Sequence, residues 1–129
     1  MRCLIFVAMI ALLAMPAAAH HSLAPYAMAQ LKTVEGTVKS WDWSNPHVRL
    51  NLIAPDGKGG ASVWEFESSS PGRLTSSGFV KDAMAPGDRV SVAYNPRRDG
   101  TPGGFLIAVT TSDGRTYNTD RFRALQSER

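Results

Sequence analysis

The sequence predicts an all-β domain interrupted by one short helix, and three observations carry that prediction. Apolar and polar residues alternate with period two in short runs; glycine- and proline-bearing turn signals separate the runs; one Ser-Pro pair opens the single helical stretch.

The first run, Thr33 to Ser40, puts Thr33, Glu35, Thr37 and Lys39 on one face and Val34, Gly36, Val38 and Ser40 on the other, a half-buried strand. Gly36 removes a side chain at its middle, where a strand bends or bulges. In the second strand Val48, Leu50 and Leu52 alternate with His47, Arg49 and Asn51. Pro55-Asp56-Gly57 and Gly59-Gly60 then turn the chain into a third, Val63 to Glu67, with Trp64 and Phe66 inward and Glu65 and Glu67 outward.

Ser70-Pro71 is a cap and first-turn pair for a helix that runs no further than Ser77. Pro86-Gly87-Asp88 is a tight-turn signal ahead of a fourth strand carrying Val90, Val92 and Tyr94. A polar, glycine-rich loop from Arg97 to Gly104 precedes a fifth strand, Phe105 to Thr111. Asp113-Gly114 turns that strand into a brief return at Thr116-Tyr117. This order predicts a small five- to six-stranded, OB-like Greek-key barrel, in which a helix separates the third and fourth strands and the first strand bends at a glycine. A β-sandwich is the alternative.

The ends of the chain read differently. Arg2, the apolar stretch Leu4 to Met15, Pro16, and the small residues Ala17 and Ala19 predict a signal peptide over residues 1–19. That stretch is shorter than the about 20 apolar residues of a spanning helix, so no membrane insertion is expected after cleavage. Residues 20–32 are expected to form a flexible N-terminal segment, 33–118 the barrel, and 119–129 a frayed tail. The only cysteine, Cys3, lies in the leader, which leaves the mature protein without a thiol or disulfide. About 110 residues remain, enough to bury a core without covalent staples. Losing Arg2 lowers the formal net charge from +3 to +2, too little to draw a nucleic-acid partner. The expected location is periplasmic or secreted.

Three histidines carry the chemical interest: His20 and His21, just past the expected cleavage point, and His47. A terminal His20 would offer its amine and a ring nitrogen to one ion, a chelate that an internal histidine cannot close. With reference pKa values near 7.7 and 6.5, both groups lose their protons to a metal near neutral pH. His21 and His47 would add imidazoles, which suit Cu(II) first among the divalent metals, and Glu67 or Glu65 an oxygen. A second expected surface, for a ligand or an envelope or periplasmic protein partner, comprises Trp41, Trp43, Asn45, Arg97 and Arg98. For the two tryptophans, core or rim packing is the competing reading. Asn45-Pro46-His47 also reads as a turn whose imidazole caps a backbone carbonyl.

Several motifs occur together: His20-His21-Ser22, Trp43-Ser44-Asn45-Pro46-His47, Trp64 with Glu67 and Ser70-Pro71, Arg73-Leu74, Gly78-Phe79, Pro86-Gly87-Asp88-Arg89-Val90, and Arg98-Asp99-Gly100. Through them the chain resembles a family of small, secreted bacterial proteins of unknown function. The resemblance implies secretion and a β-barrel, and it supplies no activity. A binding module is expected rather than an enzyme. The sequence holds no glycine-flanked nucleophile elbow, no His-Glu-x-x-His pattern and no phosphate-cradling loop. A hydrolase-type site near His47 and Glu67 is the one catalytic alternative.

Overall fold

The computed structural model describes residues 22–122. Six strands appear in the order β1 (Lys32–Asp42), β2 (Arg49–Pro55), β3 (Ala61–Glu67), β4 (Arg89–Pro96), β5 (Gly103–Thr111) and β6 (Thr116–Asn118). A helix, α1 (Pro71–Ser76), and one 3-10 turn (Lys81–Ala83) lie between β3 and β4. Neighbouring strands run β3-β2-β1-β4-β5-β6, and β3 also pairs with β5, which closes the first five strands into a barrel. This is the expected OB-like arrangement, with β6 added antiparallel to β5.

β1 serves two neighbours in succession. Lys32 to Thr37 pair with β4, and Thr37 to Asp42 with β2. Gly36 lies beside this change of partner, and a Cβ there would collide with the Ile53 carbonyl and the Leu52 side chain. A bulge between Val38 and Ser40 then shifts the register by one residue. Because side chains alternate with period two, that shift turns the residues beyond it over. Val38 and Trp41, of opposite parity, therefore both pack on the core.

Closure of the barrel depends on two glycines without side chains. Gly103 and Gly104 lie opposite Glu65 and Phe66 in the parallel pairing. A Cβ on Gly103 would meet the Glu65 carbonyl, and one on Gly104 the Asn95 carbonyl. The barrel interior holds Val38, Leu50, Leu52, Phe66, Val92 and Leu106, all essentially inaccessible to water. Leu74 of α1 and Phe79 after it enter the same cluster. The helix begins at Pro71, as the cap pair predicts, with the Ser70 hydroxyl accepting the Arg73 N–H at 3.5 Å.

β5 is buried on both faces, which explains its unbroken apolar run Phe105 to Val109. Leu106 and Val109 face the barrel, while Phe105 and Ile107 form a second cluster outside it with Tyr26. Leu23, Met28 and Phe122 pack onto that outer cluster. Residues 22–31, expected to be flexible, thus lie along the barrel as a docked lead-in. Tyr26 bridges to Arg97, the Ala27 N–H donates to the Pro96 carbonyl, and the Asn95 side-chain amide donates to the Gln30 carbonyl at 2.6 Å. The tail expected to fray is also held through Phe122, since Thr119 is buried and donates through its N–H and hydroxyl to the Ile107 carbonyl. The reason is the same in both places: the outer face of β5 is apolar, and these two segments cover it.

Candidate functional site

His47 sits between the Asn45–Pro46 peptide, which is cis, and the start of β2. The Val48 N–H and carbonyl pair with Ser69 and Ser68, which hold this stretch beside the end of β3. The imidazole is mostly covered, with 17 % of the side chain exposed. Its Nδ1 lies 2.9 Å from the Ser68 carbonyl oxygen and 2.8 Å from Glu67 Oε1. Both partners only accept while Glu67 is ionised, so Nδ1 carries the proton and donates. The lone pair of the neutral ring then belongs to Nε2.

Glu67 is fixed from its other side. Its Oε2 accepts the Tyr26 hydroxyl at 2.9 Å. Tyr26 is 6 % exposed and its ring packs on Phe105 at 5.5 Å between centroids. Burial, and then the hydrogen bond and the charge of Glu67, push its hydroxyl pKa up to about 12. Tyr26, Glu67 and His47 therefore form one chain of hydrogen bonds from the lead-in across β3 to the start of β2. Tyr26 carries no local signal for this role, since its partner is 41 residues away.

His47 opens into a cleft of about 270 Å³, whose walls include Leu23, Pro46, Ser69, Arg73, Asp120 and Arg121. Asp120 accepts the Ser69 hydroxyl at 2.8 Å and pairs with Arg73 at 3.0 Å. Glu67 itself does not line the cleft, and its carboxylate is turned to Tyr26 and the imidazole.

Other residues singled out in the sequence are spread around the barrel. His20 and His21 lie outside the described residues. Glu65 pairs with Arg97 at 3.0 Å, and Arg97 also donates to the Pro102 carbonyl. Trp41 stacks on Phe79 and contacts Trp43, each at 5.5 Å, and its Nε1 donates to the Lys81 carbonyl. Both tryptophans pack against the barrel core, so the packing reading accounts for their contacts. Asn45 is exposed, and Arg98 donates from Nε to the Ala24 carbonyl of the lead-in. Among the described residues, no three His, Cys, Asp or Glu side chains converge into a set that holds a metal.

A family model described as a family of unknown function (DUF6152) matches residues 8–106. No curated protein and no solved structure matches the chain.

Proposed function

The chain belongs to that family of unknown function (DUF6152), and from this premise we propose that it is an exported β-barrel module that binds a divalent metal ion, Cu(II) foremost. The ligands in this reading are His47 and, once the leader is cut after Ala19, His20 with its amine and His21.

The observation that carries the reading is the fixed imidazole of His47 in a cleft that Leu23 also lines. A ring whose Nδ1 is held by a carboxylate and a carbonyl is oriented in the way that metal-ligating histidines usually are. His21 precedes Leu23 by two residues, and two residues of extended chain span about 7 Å. In this reading that reach lets His21, and His20 one residue further on, approach the cleft. Glu67, expected from the sequence as an oxygen ligand, acts here by orienting His47, and Tyr26 orients Glu67. Glu65 is committed to Arg97 and takes no part.

Calorimetry with Cu(II) tests this on protein that begins at His20 and on the same protein with one alanine added ahead of it. The extension removes the amine–imidazole chelate and is expected to weaken binding at least tenfold. His47→Ala is expected to do the same, and Glu67→Gln to weaken binding about 10- to 100-fold, as loss of an orienting partner does. Equal Cu(II) affinity with and without the added alanine overturns the reading.

A further inference from the structure

A second cleft, of about 480 Å³, lies between the lead-in, the start of β1 and the loop joining β4 to β5. It shares no lining residue with the His47 cleft. Its walls carry Lys32, Trp64, Tyr94, Arg97, Arg98 and Asp56.

The charges in this lining do not cancel. Arg97 is taken up by Glu65. Lys32 and Arg98 form no ion pair among the described residues, although Arg98 is held in place by its Nε bond to Ala24. Asp56 is the one acid of the lining among the described residues, and it already accepts the Lys58 and Gly60 N–H groups, which hold its carboxyl below the usual carboxylate range. Asp99, on the same loop but outside the lining, accepts the Thr101 N–H and hydroxyl. Within the lining, beyond the Arg97–Glu65 pair, two cations stand against one carboxylate, an excess of a single positive charge. The hydrogen-bonding groups are unbalanced in the same sense. Trp64 Nε1 is buried with no acceptor, and an indole N–H can only donate.

We propose that this cleft is a binding site for a small monoanion, a carboxylate carried on a ring-sized body. A single excess charge matches a carboxylate better than a phosphate group, which carries about −1.5 to −2 at neutral pH. Lys32 supplies a mobile point charge and Arg98 a planar fork suited to two carboxylate oxygens. A bare carboxylate would leave most of the volume unfilled. The remaining lining includes Trp64 and Tyr94, aromatic side chains that suit contact with either a pyranose or an aromatic ring. This inference is independent of metal binding at His47.

The test uses the mature chain labelled with ¹⁵N and follows the Trp64 indole N–H, identified by its loss in Trp64→Phe. Sodium glucuronate and sodium benzoate probe the two ring types. Acetate probes charge without a ring, glucose a ring without charge, and inorganic phosphate a higher charge, all at constant ionic strength. At least one ring carboxylate is expected to shift the indole signal saturably, and to bind at least tenfold tighter than acetate, glucose or phosphate. Which of the two binds tells the ring types apart. Lys32 is exposed, and Lys32→Gln is expected to weaken that binding at least fivefold, with Arg98→Gln adding to the loss. No response to either ring carboxylate, equal binding of glucose or phosphate, or unaltered affinity in the folded Lys32→Gln protein overturns the proposal.

Discussion

Replacing Tyr26 with phenylalanine isolates the one hydroxyl that ties the lead-in to Glu67. The ring keeps its packing on Phe105, because only the oxygen is lost. A hydrogen bond to a charged acceptor contributes about 1.5–3 kcal/mol. Glu67 is 31 % exposed, so water restores part of its solvation, and a net loss of about 1 kcal/mol at pH 7 follows. For a domain of this size that lowers Tm by roughly 4–8 °C. The pH dependence gives a sharper test. Tyr26 titrates near 10 in the unfolded chain and at about 12 in the folded one. Below pH 10 both states hold the proton and the contribution is complete. Between 10 and 12 only the folded state holds it, so stability falls by about 1.4 kcal/mol per pH unit, roughly 2–3 kcal/mol in all. Denaturant melts at pH 8, 10, 11 and 12 should show this decline in the parent and a shallower one in Tyr26→Phe. A residue of slope remains, because burial raises Tyr94 as well. If the variant keeps the parent's full alkaline slope, the hydroxyl is not buried on Glu67 as described.

Three further substitutions, one of them a control, probe the barrel and its lead-in. Gly104→Ala drives a Cβ into the Asn95 backbone, which a closed barrel cannot yield, and is expected to cost more than about 3 kcal/mol in urea unfolding. Gly72→Ala on α1, where a Cβ meets nothing, is the control and should be neutral or stabilising by up to about 1 kcal/mol. Asn95→Ala removes the bond to the Gln30 carbonyl and should cost about 1–2 kcal/mol, with faster hydrogen exchange at Ala27 and Gln30. Unchanged exchange at those amides would show that Asn95 does not hold the lead-in.

Most of the barrel was legible because its signals are local. The alternation from Val63 to Glu67 needs only the two-residue repeat of a strand, and Ser70-Pro71 needs only the steric demands of a helix start. The special place of Gly36 was readable for the same reason, since it lies in the middle of an otherwise regular alternation, and the structure packs it against Leu52 and Ile53 where a Cβ would collide. The bulge after Val38 was not. It inserts one residue and so inverts the parity of Trp41, and no pattern within the strand announces it. Which face a tryptophan takes after a bulge depends on the neighbouring strand.

The candidate site divides along the same line. His47 and Glu67 were recognisable from residue type and parity, and so, beside the other cleft, was the cationic pair Arg97-Arg98. The sequence by itself determined the strand order, the helix and turns, and the residue types available for chemistry, because each is set by neighbours a few positions apart. Only the tertiary structure decided that the segment before Lys32 docks on β5, that Tyr26 and Glu67 lock the His47 ring, and that Lys32 and Trp64 share a cleft with Arg98. Those arrangements join residues tens of positions apart, and they exist because barrel closure leaves an apolar outer face on β5 that the lead-in covers.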